Sequence, residues 1–323
     1  MKSRIIATGL SGLVGSRLKE LLTPRFSFIN LSQPNFDILR RKELEPVFRK
    51  ENKAEIVLHL AAFTDVKAAW RQRGQKEGLC FRVNVSGTQN LIELCRFYHK
   101  HLVYISTDFV FSGKKRSTYT EKDRPDPIEW YGQTKLWAEE AIQNQLEDWT
   151  IARIAFPYRA SFAPKIDLVR KIIQGLQDKT LYPMFTDQIT TPTLIDDLAL
   201  AMAAIFKKRP RGIFHLVGSS SQSPYELACQ IAAVFGFEKK QIKKGSLLRY
   251  LKAKSEDIPP WPRFLALSNQ KAKTQLGIKF STLRQGLEKI FSQLNRSVGS
   301  GRSVGSGRST NQIDPITKKS SMN

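Results

Sequence analysis

Three side chains in the middle of the chain have the types and spacing that general acid–base chemistry can use. Thr107 follows the apolar run Leu102-Val103-Tyr104-Ile105, which reads as a buried strand. Tyr131 and Lys135 open a helical pattern four residues apart, so they share one helix face. Free tyrosine titrates near pH ~10, and a lysine ammonium beside it favours the phenolate. Such a phenol is a usable proton donor and acceptor near neutrality. The hydroxyls of Ser106 and Thr107 stand at the strand's mouth, where they either satisfy backbone groups or reach a ligand. Tyr-x-x-x-Lys also arises by chance on surface helices, so the surroundings of the pair decide its meaning.

The elements that must position these groups begin at the N-terminus. Residues 4–8 read as a strand, Gly9-Leu-Ser-Gly12-Leu-Val-Gly15 as a tight turn, and residues 16–22 as an amphipathic helix. Glycines there permit the turn, close backbone approach to a pyrophosphate, and helix-on-strand packing, with the helix N-terminus facing the phosphate charge. The same turn would serve any tight strand-to-helix connection.

A second strand, 26–31, ends in Asn30, Leu31 and Ser32. No carboxylate stands there to bind a ribose 2′-hydroxyl and repel a 2′-phosphate, which leans toward NADP(H) while admitting NAD(H). Asp37 either caps the charged helix 40–50 or accepts a hydrogen bond from adenine. The strand 55–60 ends in small residues, with His59 read as a packed strand histidine. Helices are expected at 66–72, 79–99 (carrying Asn84) and 130–146, and a strand at 149–154.

Strands alternating with helices imply parallel order and right-handed crossovers. The expected fold is therefore α/β: a Rossmann-type doubly wound parallel sheet, with a smaller C-terminal α/β substrate domain. Past residue 155 the rhythm changes, with helices at 165–177, 190–206 and 224–235, a strand at 212–217, and a rigid extended piece at 259–263. The expected division is 1–155 for dinucleotide binding, 156–294 for substrate binding interleaved with the first unit, and 295–323 as a disordered tail. That tail is an Arg/Ser/Gly repeat with a flexible-linker composition.

The 323 residues suffice for a large core, and 41% are hydrophobic. No apolar run nears the ~20 residues of a membrane span, and no secretory leader is evident. Three scattered cysteines without a Cys-x-x-Cys pair argue against disulfides and a metal site, and for a cytoplasmic location. Net charge is +23. Residues 296–323 supply +4 of it, from Arg296, Arg302, Arg308, Lys318 and Lys319 against Asp314, which leaves +19 on the body. Because the charge is spread rather than striped, nucleic acid is disfavoured against a diphosphate-bearing substrate or a solvated surface.

Jointly the motifs resemble the extended short-chain dehydrogenase/reductase family, and within it the dTDP-4-dehydrorhamnose reductase branch. The resemblance rests on the Gly9/Gly12/Gly15 turn, HLAAFTDV from His59, YISTDFVFSG from Tyr104, and the run from Tyr119 to Pro127. It continues with YGQTK from Tyr131, TPTLIDDLA from Thr191 and PRFLALSNQKAKTQLGI from Pro262, and covers about residues 3–294. It implies that Tyr131 delivers a proton to the oxygen of a keto-sugar, that Lys135 lowers the tyrosine pKa and holds the nicotinamide ribose, and that Thr107 polarises the carbonyl.

It also implies cofactor contacts at Gly9, Gly12, Leu13, Val14, Gly15, Asp37, Ile38, Ala61, Ala62, Phe63, Tyr131 and Lys135. Substrate contacts are implied at Thr107, Asp108 and Arg263. The implied substrate is a nucleotide-linked 4-keto-6-deoxy-sugar, no metal is called for, and a homodimer is compatible. Sugar-nucleotide 4,6-dehydratases carry Thr-Asp-Glu where this chain has Thr107-Asp108-Phe109, so their elimination machinery is missing. Lys114, Lys115 and Arg116 either meet a diphosphate near the substrate mouth or form a solvated loop. An epimerase of the superfamily, or a non-catalytic subunit like the methionine adenosyltransferase β subunit, are the competing readings.

Overall fold

The runs Ile5–Ala7, Ile56–Leu58 and Leu102–Ile105 are continuously apolar rather than alternating, the pattern of strands covered on both faces. The computed structural model, which describes residues 2–162, 164–253 and 258–299, builds them into one sheet. Its strands are β1 (Ser3–Thr8), β2 (Phe26–Asn30), β3 (Ile56–His59), β4 (His101–Thr107), β5 (Trp149–Ile154) and β6 (Gly212–His215). They lie in the order β2-β1-β3-β4-β5-β6, all parallel.

The two-residue period of a strand divides each one between two cores. Ile5, Ala7, Val103 and Ile105 join one core with helices Leu13–Leu22 and Ile195–Lys208. Ile6, Val57, Leu102 and Tyr104 join the other with helices Arg41–Lys50, Gly87–Phe97 and Trp130–Gln145. From β1 the chain steps outward to β2, then returns to the other side of β1 as β3. That reversal opens a crevice at the carboxyl ends of β1 and β3.

A third core, with Tyr158, Ile172, Leu227, Ile231 and Leu287, is built from residues beyond 155. Its helices are Leu168–Gln177, Pro224–Phe235 and Leu283–Gly299. Helix Pro224–Phe235 follows local rules closely: Ser223 and Glu226 form a capping box, proline opens the first turn, and Gly236 at φ 77° closes the helix. The sheet takes β6 from this later region, and helix Ile195–Lys208 packs on helix Leu13–Leu22, so the two halves share a core.

The structure adjusts several expected boundaries. The helix expected over 79–99 contains a π-helical turn at Arg82–Ser86 and ends at Phe97. The last helix runs to Gly299, past the expected end of order at 294, and residues 300–323 of the expected tail lie outside the described residues. Among the described residues, no helix is long and apolar enough to cross a membrane.

Candidate active site

One wall of the crevice is made of backbone. Gly9 sits at φ 69°, and a Cβ there would lie 2.6 Å from the Ala61 nitrogen. A Cβ at Gly15 would strike the Gly9 carbonyl oxygen and lie 2.7 Å from the Leu10 Cα. Both positions therefore require glycine, for the turn and for helix-on-strand packing. Gly12 differs: a Cβ there would touch only the Gly9 carbonyl oxygen, at 3.4 Å, and Gly12 lines the cavity at the N-terminus of helix Leu13–Leu22. This open cradle at a helix N-terminus fits the pyrophosphate of a dinucleotide.

Side chains hold that wall in place. The Leu10 N–H donates to Ser32 Oγ at 3.2 Å, tying the glycine turn to the end of β2. Asn84, on the π-helical turn, accepts the Phe63 N–H at 2.8 Å and donates to the Phe63 carbonyl at 3.2 Å and Thr134 Oγ1 at 3.0 Å. It thereby clamps loop 61–64 to the helix that carries Tyr131, a use typical of π-turns. His59 is fully buried between Thr8 Oγ1 (2.8 Å) and Thr88 Oγ1 (3.0 Å). Burial lowers it to about 3, so it is the neutral packed histidine expected.

The opposite wall carries ionisable groups. Thr107 Oγ1 accepts the Phe109 N–H at 3.2 Å and donates to Asp108 Oδ1 at 3.1 Å. Tyr131 and Lys135 leave helix Trp130–Gln145 on the same side and line a cavity of about 710 Å³ together with Thr107, Asp108 and the glycine turn. Desolvation pushes the Tyr131 phenol up, Thr107 pulls it down by a hydrogen bond, and Glu129, Asp108 and Cys80 push it up further. Desolvation also raises Asp108 to about 7, against its bonds to Thr107 and the backbone.

Lys135, expected to lower the phenol, turns its amine toward β4. Lys135 is 2% exposed, donates to the Ile105 carbonyl at 2.7 Å and lies 4.0 Å from the Tyr104 ring centre. Burial lowers Lys135 itself to about 7, although Glu139 and Cys80 raise it.

All the expected cofactor positions line this one cavity: Gly9, Gly12, Leu13, Val14, Gly15, Asp37, Ile38, Ala61, Ala62, Phe63, Tyr131 and Lys135. Asp37 spends Oδ1 on the Leu39 N–H at 2.9 Å. Of the β2 end, Leu31 and Ser32 line the cavity but Asn30 does not. Arg17 is held by Asp196 at 2.7 and 2.8 Å and is no phosphate clamp.

Arg263, expected at the substrate, lies outside the cavity wall. Its Nε donates to the Asp187 carbonyl at 3.3 Å, and its guanidinium lies 4.9 Å from the Phe264 ring centre. Lys115 pairs with Asp123 at 2.6 Å and Arg116 stacks on Phe264, so this basic loop does not line the cavity either.

Several lining residues lie outside the set expected from the sequence. Phe156, Lys165 and Trp261 reach the cavity from beyond β5. Phe109 anchors an aromatic cluster with Tyr131 (6.1 Å), Phe156 (6.3 Å) and Trp261 (5.6 Å). Lys165 donates to Thr64 Oγ1 at 2.9 Å across the mouth. The Trp261 signal was present in Pro259-Pro-Trp-Pro, a rigid frame around an aromatic, but its target was not. Among the described residues, no group of three His, Cys, Asp or Glu side chains could hold a metal.

Residues 3–296 match the family model described as RmlD substrate binding domain. The chain belongs to that family. A dTDP-4-dehydrorhamnose reductase of Sinorhizobium fredii is 30% identical over 239 residues, 72% of this chain and 78% of that protein. A dTDP-4-keto-6-deoxy-D-glucose reductase of Streptomyces niveus is 29% identical over 247 residues, 75% of this chain and 82% of that protein. Among solved structures, a Bacillus anthracis dTDP-4-dehydrorhamnose reductase in complex with NADP superimposes with a TM-score of 0.81 at 24% identity, covering 91% of this chain and 100% of that one. That last likeness speaks for the fold.

Proposed function

We propose that the chain is an NADPH-dependent reductase of a nucleotide-linked 4-keto-6-deoxy-sugar. The observation that carries this reading is the convergence of Thr107, Tyr131 and Lys135 on the cavity that the glycine turn opens, within a family whose named relatives reduce such sugars. When bound, the nicotinamide supplies the hydride. Tyr131 donates its proton to the developing alkoxide, and desolvation, by holding the phenol protonated, keeps that proton available. Thr107 orients the carbonyl oxygen and polarises it.

Gly12, Leu13 and Val14 hold the pyrophosphate, and Lys135 holds the ribose. Asp108 contacts the sugar. The aromatic cluster around Phe109 keeps water from the reacting centre and fills the position where a dehydratase needs an acid. We place the division at 1–155 for the dinucleotide and 156–294 for the sugar nucleotide. The free cysteines Cys80, Cys95 and Cys229 support a reducing, cytoplasmic setting.

The test is NADPH oxidation on adding a dTDP-4-keto-6-deoxy-sugar, followed by loss of reduced-nicotinamide absorbance. Turnover with a reduced sugar product supports the reading. Interconversion of sugar epimers without net NADPH consumption would replace it with the epimerase reading.

A further inference from the structure

Directly behind Tyr131 lies a second acid for which the family resemblance assigns no role. Glu129 is 2% exposed and is the N-cap of helix Trp130–Gln145. Its Oε2 accepts the Tyr131 N–H at 2.7 Å and its Oε1 accepts the Gly132 N–H at 2.5 Å. One carboxylate thus holds the backbone of the proton donor and of the next residue. The turn it holds has no slack, because a Cβ at Gly132 would strike the Phe109 carbonyl oxygen. Phe109 belongs to the Asp108–Val110 turn, which begins with Asp108 itself.

Asp108 is also 2% exposed, and its Oδ2 has no partner among the described residues. Two acids are therefore buried on the two elements that meet beneath Tyr131.

We propose that Glu129 is a positioning residue for the proton donor, its carboxylate fixing the first helical turn against the Asp108–Val110 turn in competition with proton uptake. The inference rests on the reductase reading above and deepens it. A carboxylate offers two acceptor oxygens to the two N–H groups, whereas a carboxylic acid turns one oxygen into a donor and loses one of those bonds. Proton uptake thus loosens the turn that aims Tyr131.

The titratable groups facing Glu129 are Asp108 from the turn after β4, Tyr131 from its own helix, and Cys80 from helix Leu79–Phe81. Lys135 lies one helical turn further on. Desolvation raises Glu129 to about 7, the two N–H bonds lower it, and the Asp108 charge raises it again. The folded-state value is thus above the ordinary one. The folded chain binds the extra proton, and stability from this group grows as pH falls from about 7 toward the ordinary carboxylate value.

The experiment separates capping from titration with two variants of the full chain. Glu129→Ala removes the cap, so kcat should fall about tenfold while the NADPH Kd stays within about twofold. Glu129→Asn caps the helix with a single acceptor oxygen, as the protonated acid does, and does not titrate, so it should recover part of the lost turnover. Wild type gains thermal stability between about pH 7.5 and about pH 5.5 from this group, and in Glu129→Asn that gain should shrink by about 3 °C.

Full turnover in Glu129→Ala, or equal impairment of both variants, overturns the positioning role. An unchanged Tm-against-pH slope in Glu129→Asn overturns the titration, and this readout survives if the alanine variant fails to fold. Absence of turnover by the unmodified chain defeats the reductase reading instead, and leaves the stability measurement standing.

Discussion

The two walls of the cavity are made of different materials and fail in different ways. The wall from Gly9 to Gly15, with Ser32 and Ala61–Phe63, is backbone and small or uncharged side chains. Its close approaches, such as Gly9 against Ala61, leave no room for one added methyl. The wall opposite holds Asp108, Tyr131 and Lys135, with Glu129 behind, and burial displaces every one of them from its ordinary titration range. A wall of backbone is sterically intolerant and indifferent to pH. A wall of desolvated acids and bases tolerates small changes of shape but responds to the loss of a single proton or hydroxyl.

The sharpest way to break this contrast is Tyr131→Phe, which keeps the ring and removes only the hydroxyl. Turnover should fall by about two orders of magnitude or more, while NADPH binding measured by fluorescence stays within about twofold. Near-normal turnover would take Tyr131 out of the chemistry.

The complementary change is Gly15→Ala, which adds one methyl to the other wall. Because the clash is with backbone atoms, overpacking should weaken NADPH binding by about 2 kcal/mol, roughly thirtyfold. The pH dependence of the remaining activity should be unaltered. A shifted pH profile in this variant would show that the walls are not independent.

Smaller effects sharpen the contrast. With no carboxylate at the end of β2 and Arg17 committed to Asp196, the cofactor preference should be modest. NADPH should bind more tightly than NADH by on the order of tenfold, about 1.4 kcal/mol. A clear preference for NADH in paired titrations would mean that the missing carboxylate was misread. The smallest effect is expected of Arg263→Ala, since that guanidinium bonds Asp187 outside the cavity: the sugar-nucleotide KM should change by less than about twofold. A rise of tenfold would return Arg263 to the substrate.

What could be read along the chain was whatever depends on neighbours in sequence. Strand β5 and helix Pro224–Phe235 fall at the expected residues because apolar runs, capping boxes and closing glycines act within a few positions. The glycine turn and the Tyr131–Lys135 pair were legible for the same reason: four residues on a helix set a common face whatever surrounds it.

Tertiary packing alone decided the rest. Trp261 meets Phe109 across more than a hundred residues of chain, Asn84 clamps loop 61–64, and Arg263 turns away to Asp187. The charge states of Asp108, Glu129 and Lys135 belong to the same class. Desolvation is set by every residue that excludes water from a site, and those residues come from β4, β5 and the C-terminal unit together. A sequence names the acids and the base, but their titration is a property of the packed cavity.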